Sequence, residues 1–432
     1  MSPAPAAGAL PRLLTGVGQR PMAELEHHLD VYGPLPDLRG ADPERLTQLI
    51  ERSGLRGHGG AAFPAGRKLR AVAARRRPRV VVANATEGEP ASKKDRALLR
   101  ETPHLVLDGA ALAARAVGAS QAVLAVCESD TRGLRGIARA LEERHRRGFS
   151  RGEPEWQLVR TPDRYLSGQE TALISLLNGG EGLPAFGPRP YQRGVRGRPT
   201  LVQNVETLAH MALIARHGAE WFRGLGTPAH PGSALLTVSG AVARPGVYEV
   251  EHGMALSELL HWVGAEPPQA VLVGGYFGSW LSGEEAARAR LAGEELSAFG
   301  AALGSGVIAV LGRAACPVAE TARVAAWFEL ESAGQCGPCV NGLNAIASSL
   351  ARVAAGAGIR RDLADLERWS RDLRGRGACQ HPDGAVRFVA SALRVFAAEF
   401  ADHAEHGPCA RCGHPPVLPV AAGSPAERAL AA

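Results

Sequence analysis

Cys336, Cys339 and Cys379 are the residues whose type and spacing specify chemistry most directly. The first two enclose Gly337-Pro338 in the stretch Ser332-Ala333-Gly334-Gln335-Cys336-Gly337-Pro338-Cys339, and the third follows forty residues later. Thiolates on a tight turn converge on one edge of an iron–sulfur cluster, so electron transfer is the chemistry they imply. A fourth thiolate is expected three residues before Cys336, where the chain has Ala333. Three thiolates leave three outcomes open: a three-iron cluster, a cubane whose fourth iron is labile with a water or side-chain ligand, or no cluster.

Three polar segments add a second kind of chemistry. Gly54-Leu55-Arg56-Gly57-His58-Gly59-Gly60 and the following Ala61 to Lys68 form a glycine-rich loop whose bare backbone can point N–H groups at an anion. No Gly-Lys-Ser/Thr closes it, so it is not a P-loop. Asn84-Ala85-Thr86-Glu87-Gly88-Glu89 follows the apolar run Val80-Val81-Val82-Ala83, and the carboxyl end of a parallel strand is where α/β sheets bind ligands. Tyr165 to Thr171, with Gly168 and Gln169, and Pro199 to Thr207, with Gln203 and Asn204, supply amide groups able to donate to and accept from a heteroaromatic ring.

The elements that position these groups read as an α/β layer followed by helices. Asp42-Pro43 caps a helix that Gly54 stops. Strands over 80–83, 122–127 and 156–160 alternate with helices over 103–117 and 131–147, the pattern of a parallel, doubly wound sheet. Strands over 235–242 and 246–250 flank the turn Ala243-Arg244-Pro245-Gly246, and a helix over 256–263 and a strand over 270–273 complete a small α+β module. From Pro317 the pattern turns helical, with spans over 318–331, 342–353, 363–373 and 385–400.

In 432 residues with 45% apolar and 5% aromatic content, Ala, Leu and Val should fill most of the core. No apolar run reaches the ~20 residues of a membrane span. The longest, Leu105 to Cys127, is broken by Asp108 and Arg115. The N-terminus lacks a signal-like apolar segment, so a cytoplasmic location is expected. The net charge of +6 suits an anionic cofactor or an acidic partner as well as it suits nucleic acid. No aromatic-interleaved basic face supports nucleic acid, and Arg75-Arg76-Arg77-Pro78-Arg79 reads as a solvated loop. Seven cysteines, four of them in two C-x-x-C pairs, favour metal or redox chemistry over structural disulfides. His403, His406, Cys409 and Cys412 recur every third residue, followed by His414. They read as an unstructured tail, a zinc clip, or a donor of the missing cluster ligand. Cys127 and Cys316 read as inert core thiols.

In order along the chain, these segments resemble the NADH-binding flavoprotein subunit of respiratory complex I and the diaphorase subunits of NAD-linked hydrogenases and formate dehydrogenases. The family patterns are Gly-Leu-Arg-Gly-Arg-Gly-Gly-Ala-Gly-Phe-Pro-x-Gly-x-Lys, Asn-Ala-Asp-Glu-x-Glu-Pro-Gly-x-x-Lys-Asp-Arg, Tyr-x-x-Gly-Glu-Glu-Thr and Asn-Asn-Val-Glu-Thr. The likeness spans about Gly54 to Phe400. It implies a Rossmann-like FMN and NADH domain (41–225), a ubiquitin-like β-grasp module of the SLBB type (233–312) and a helical [4Fe–4S] domain (313–400), while composition reads residues 1–40 as an N-terminal arm and 401–432 as a flexible tail. By the same resemblance Gly57, Gly59, Gly60, Lys68, Asn84, Thr86, Gly168, Gln169, Gln203 and Asn204 hold FMN. Phe63, Glu87, Glu89 and Glu170 face NADH, and Cys336, Cys339 and Cys379 bind the cluster. Thr86, Gln169 and Gln203 depart from the family's Asp, Glu and Asn, and Ala71 and Arg189 stand where it has aromatics that stack on NADH.

The resemblance implies hydride transfer from NAD(P)H to FMN, then single-electron transfer through the cluster to another redox subunit, with peripheral attachment to a membrane complex one form of that assembly. No side chain acts as acid or base, because hydride transfer to a flavin depends on stacking geometry. Two other readings stay open: an adaptor taking electrons from a ferredoxin-like partner instead of NADH, and an assembly subunit without redox centres.

Overall fold

The computed structural model describes residues 10–17, 23–36, 40, 42–76, 78–149 and 152–420. Arg77 of the basic loop, residues 1–9 of the arm and the end of the tail beyond 420 lie outside them. The chain divides into two units, Met1–Gly88, Lys93–Leu236 and Val247–Gly253 forming the first, and Glu89–Ser92, Thr237–Gly246 and Met254–Ala432 the second.

The first unit grows from α1 (Leu25–Tyr32), α2 (Pro43–Ser53), α3 (Ala65–Ala73), β1 (Arg79–Ala85), α4 (Lys94–Glu101), α5 (Pro103–Val117), β2 (Ala119–Cys127), α6 (Thr131–Arg146), β3 (Glu155–Thr161), α7 (Glu170–Leu177), β4 (Thr200–Asn204), α8 (Val205–His217) and α9 (Ala219–Arg223). The β-branched run Val80-Val81-Val82 is wholly buried, as a central strand covered on both faces requires. It pairs in parallel with β2 and β4, and the sheet order is β3-β2-β1-β4. The chain steps from β1 to β2 on one side and returns to β4 on the other, so the strand order reverses between β1 and β4.

Local signals set the helix ends. The Asp42 carboxylate accepts the N–H of Glu44 at the start of α2, and Gly54 at φ +73° ends it. Helix α5 is almost entirely buried and crosses α8 so closely that a Cβ on Gly109 would lie 1.8 Å from the Leu208 carbonyl oxygen. Asp108, which interrupts the apolar run of this helix, binds three cationic or polar partners. His28 Nε2 is 2.9 Å away, Arg144 Nη1 2.8 Å, and Arg216 also bonds it. Burial alone would raise its pKa, but Arg144, His28 and Arg216 together hold it well below the carboxylate range.

The segment expected as an extended arm is partly folded: α1 buries Leu25, His28 and Tyr32, and Glu249 Oε2 accepts the N–H groups of Arg12 and Leu13, each at 2.8 Å. Amphipathic spacing in so short a helix is a weak signal. Its stability comes from the buried partners.

The second unit contains β5 (Ser233–Gly240) and β6 (Gly246–Glu251), through which the boundary passes, then α10 (Leu256–Trp262), β7 (Ala270–Val273), β8 (Ser279–Ser282), α11 (Gly283–Arg288), α12 (Gly293–Ser297) and β9 (Val307–Leu311). The sheet order is β6-β5-β9-β7-β8, with β5 and β9 parallel and β7 antiparallel to both β8 and β9. The helical part comprises α13 (Pro317–Leu330), a π-helical turn over Pro338–Leu343, α14 (Asn344–Ala354), α15 (Arg360–Asp372), α16 (His381–Val395) and α17 (Ala397–His406). Aromatic rings pack against one another in this unit: Tyr276 and Trp327 have ring centroids 5.2 Å apart, and Trp280 and Phe396 5.4 Å.

Two expectations need correction. The single helix expected over 385–400 breaks at Phe396 (φ −112°, ψ 31°), whose ring packs edge-on against Trp280. The tail is packed at least to Val420: Leu418 is fully buried, and Glu320 accepts the N–H groups of Val417 and Leu418 at 2.8 and 3.0 Å.

Candidate flavin and iron–sulfur sites

Asn84 and Asn204 are register partners at the carboxyl ends of β1 and β4, and Ala83 faces Gln203 one step earlier. This is the point of strand-order reversal, where open α/β sheets bind ligands. Asn84 Nδ2 donates to the Gly168 carbonyl at 2.9 Å, and its Oδ1 accepts the Thr86 N–H at 3.1 Å. Gly168 lies against Thr86 so tightly that a Cβ would sit 2.6 Å from the Thr86 carbonyl oxygen. Glycine is therefore required there for packing. Thr86 Oγ1 stands 3.2 Å from Thr161 Oγ1. Gln203 is only 4% exposed, and its Nε2 has no partner among the described residues. An orphaned donor at the switch point fits a ring acceptor such as that of a flavin.

The glycine loop borders the same end. Gly57 N–H closes it on the Phe63 carbonyl at 2.9 Å, and His58 N–H is anchored on Thr207 Oγ1 at 2.9 Å. Gly60 at φ +101° and Ala62 at φ +49° take left-handed backbone, turning the exposed crest outward. A Cβ on Gly59 would come within 3.4 Å of Asn204 Cβ, so the bare loop backbone approaches the β4 end directly. Helix α3 starts at the foot of the loop, and Lys68 in its first turn pairs with Glu170 Oε1 at 3.2 Å, both half-exposed. A phosphate arriving at this helix start would meet N–H groups and the lysine together.

Not every residue assigned to a ligand faces one. Gln169 Oε1 caps α7, accepting the N–H groups of Thr171 and Ala172 at 2.9 and 2.8 Å. Glu87 is buried, and its two oxygens each accept an N–H at the start of α4, from Asp95 and Arg96, at 3.1 Å. Glu89 Oε2 accepts the Tyr276 N–H at 3.1 Å within the second unit. Phe63 is 49% exposed, with the Arg67 guanidinium 5.6 Å from its ring centroid. Phe186, which belongs to none of the sequence motifs, is 80% exposed three residues before Arg189. Only its exposure singles it out.

Behind Asn204 lies a buried charged network drawn from motif residues that the resemblance assigns to no ligand. Asn204 Nδ2 donates to Asp95 Oδ2 at 2.7 Å, and Lys94 Nζ reaches Asp95 Oδ1 at 2.7 Å and Glu206 Oε2 at 2.9 Å. Glu206 also holds His58 Nδ1 at 2.9 Å and accepts the Leu235 N–H at 2.8 Å. Burial and the carboxylates around it, against the pull of Lys94, raise Asp95 to about 6. Burial would also raise Glu206, but His58 and Lys94 hold it below the usual range. Burial works against charge on Lys94, yet Asp95, Glu206 and Glu87 raise its pKa and keep it protonated.

In the second unit, Cys336, Cys339 and Cys379 are neighbours that perturb one another's ionisation. Each thiol receives a backbone N–H: Cys336 from Ala378, Cys339 from Ala333, and Cys379 from His381. Such N–H groups suit cluster thiolates. At position 333, where a fourth thiol is expected, the chain has the methyl group of alanine. The three-thiol donor set fits an iron–sulfur cluster with one iron not ligated by cysteine from this turn.

Cys409, Cys412 and His403 do not join that group. They converge with Cys316, their four ligand atoms all within 4.8 Å of one another. Cys316, read as an inert core thiol, is buried as expected, but three other donor atoms stand around its sulfur.

A parallel α/β sheet with a polar switch point, a small mixed sheet and a thiol-bearing helical bundle define a flavin and iron–sulfur electron-transfer protein. Comparison with known proteins agrees. The Nuo51 FMN-binding domain family matches residues 50–213, the SLBB domain 235–273, and the NADH-ubiquinone oxidoreductase-F iron-sulfur binding region 319–403. The F 2 subunit of the NADH-quinone oxidoreductase of Rhizobium meliloti is 34% identical over 381 residues, covering 85% of this chain and 90% of that protein. The alpha subunit of the NAD-reducing hydrogenase HoxS of Cupriavidus necator is 35% identical over 353 residues, 78% of this chain and 57% of that one. The crystal structure of an NAD+-reducing [NiFe]-hydrogenase in the H2-reduced state superposes with a TM-score of 0.80 at 33% identity, over 93% of this chain and 67% of that chain. The chain belongs to the family of NADH-quinone oxidoreductase F subunits.

Proposed function

We propose that this chain is the NADH-oxidising module of a larger redox assembly, taking hydride from NADH and handing single electrons to a partner redox subunit. FMN and an iron–sulfur cluster, when bound, supply the two-electron to one-electron conversion and the onward path. The observation that carries the reading is the switch point: Asn84 and Asn204 in register, with the unpartnered Gln203 Nε2 beside them and the bare glycine loop next to it.

The chain's own contribution is binding and orientation. Gly57, Gly59, Gly60 and the start of α3 with Lys68 take the flavin phosphate end. Asn84, Thr86, Gly168, Gln203 and Asn204 frame the ring end, with the amide of Gln169 fixing the α7 start alongside. Phe63 offers an exposed aromatic face to the nicotinamide nucleotide, and Glu170, paired with Lys68, would face the same nucleotide. Glu87 and Glu89 act at one remove, holding the start of α4 and the Tyr276 backbone. Cys336, Cys339 and Cys379 hold the cluster. No general acid or base is needed, because hydride transfer to a bound flavin would depend on how these residues position the two rings.

Among the described residues no helix is long and apolar enough to cross a membrane. We place the chain in the cytoplasm, as a peripheral subunit of a larger redox assembly. Anaerobic purification with counts of flavin, iron and sulfide, followed by NADH oxidation with ferricyanide, tests the proposal. Flavin-loaded protein that fails to oxidise NADH at any concentration overturns it. Glu87 and Glu89 turned onto backbone groups, with Arg189 and Ala71 at the family's aromatic positions, favour the second reading, electron entry from a ferredoxin-like donor. Flavin reduction by reduced ferredoxin but not by NADH would establish that instead.

A further inference from the structure

We propose that Cys316, His403, Cys409 and Cys412 form a structural zinc site, separate from the iron–sulfur ligands. The four residues come from three places: the residue before α13, the last turn of α17, and the short turn after it. Cys412 Sγ lies 3.4 Å from Cys316 Sγ and 3.9 Å from Cys409 Sγ. His403 Nε2 lies 3.6 Å from Cys316 Sγ and 4.0 Å from Cys412 Sγ. A tetrahedron with zinc–sulfur bonds of ~2.3 Å has edges of roughly 3.8 Å, so these atoms already stand near the corners one ion would impose.

The chemistry of the set points the same way. Three thiols and one imidazole are a soft, four-donor group that suits zinc. Cys316 and His403 are 3% and 1% exposed, and the set supplies four protein ligands with no position left for water or substrate, as a structural site requires. His403 Nε2 stands 3.4 Å from the Cys409 nitrogen, so this ring nitrogen faces the turn that carries the thiols, and zinc would replace that N–H as the partner of its lone pair. The Cys409 to Cys412 turn is closed by the Cys412 N–H on the Cys409 carbonyl at 3.0 Å, which holds both thiols on one side. All seven cysteines are free, so no disulfide competes for these sulfurs.

Binding displaces the thiol protons and leaves one unit of negative charge on the site. Arg411 lies between two of the ligands in sequence, and its Nη1 reaches the Ala315 carbonyl at 3.4 Å, next to Cys316. Its charge opposes that of the loaded site. The site would pin the start of α13 to the end of α17, and the far end of α13 leads directly into the turn bearing Cys336. Zinc is thereby placed as the clamp of the helix that precedes the cluster ligands.

The experiment is metal analysis with X-ray absorption at the zinc edge on the full chain, purified anaerobically without a histidine tag. The expected result is about one zinc per chain with three sulfur and one nitrogen neighbours. The Cys409→Ser/Cys412→Ser double variant should lose the zinc and keep its iron, while Cys336→Ser should lose iron and keep its zinc. His403→Cys should retain zinc with four sulfur neighbours, which separates ligation from a folding defect. No zinc in the unmodified protein after zinc supplementation overturns the proposal. So does iron lost, instead of zinc, in the double variant, or a zinc edge showing only oxygen neighbours.

Discussion

Two groups of cysteines in the helical unit differ in how they are assembled. Cys336 and Cys339 are close in sequence, and Cys379 reaches them from the segment just before α16. This group announces itself by spacing and yet lacks a thiolate at Ala333. Cys316, His403, Cys409 and Cys412 span nearly a hundred residues, and they meet with a full set of four donors within 4.8 Å. The first site is legible but incomplete, and the second is complete but legible only in part, since spacing shows His403, Cys409 and Cys412 and not Cys316. Spacing reveals ligands that share one turn. A ligand brought in by helix packing, as Cys316 is, leaves no local pattern.

The sharpest test of that contrast is Cys336→Ser, which should abolish nearly all cluster iron, read as iron and sulfide per chain. Iron content unchanged by this substitution removes the cluster assignment.

The same distinction between local and assembled groups operates in the α/β unit. Asp108 is assembled with His28, Arg144 and Arg216 from four separate elements. Asp108→Asn should lower stability by about 3–5 kcal/mol, because it leaves buried cations without their counter-charge. Denaturant unfolding of the flavin-free protein measures it, and a loss under about 1 kcal/mol would show that the knot is dispensable.

A smaller effect comes from His104, buried beside His28 and lowered to about 4 by burial, with His28 and Arg144 adding to the shift. The folded pKa is below the unfolded one, so its contribution is full above about 6.5 and is lost as pH falls toward 4. The expected loss is up to about 3 kcal/mol across that window, and His104→Gln should flatten that part of the stability profile. Asp95, raised to about 6, acts with the opposite sign over part of this range and offsets some of the loss.

The smallest predicted change is Ala333→Cys. A thiol three residues before Cys336 would supply the fourth thiolate, so the cluster should survive air several-fold longer, followed by the decay of its visible absorbance. An unchanged lifetime would mean that the fourth iron is already held by another protein ligand.

Much of the candidate flavin site could be read from the chain. Asn84 and Asn204 follow apolar runs, and a strand's carboxyl end is where polar groups have a reason to appear. The glycine loop is legible because bare backbone at φ +101° is a local requirement. What could not be read was which polar side chains the fold itself consumes. Glu87 looks like a ligand group, but it caps α4 from outside that helix. Glu89, two residues on, holds Tyr276 across a separation of 187 positions.

The sequence alone determined the layer order, the helix caps at Asp42 and Gly54, the carboxyl-end polar motifs and the local thiolate pair. Each depends on side-chain period, on turn chemistry or on residues a few positions apart. Tertiary structure decided the rest. It buried the Asp108 charge among cations, spent two acidic residues on backbone N–H groups, and ordered the segment after His406. It also joined Cys316 to His403, Cys409 and Cys412. The physical reason is common to all four. Pairing a buried charge, satisfying a remote N–H and closing a ligand tetrahedron each depend on distances between elements, and those exist only once the elements have packed.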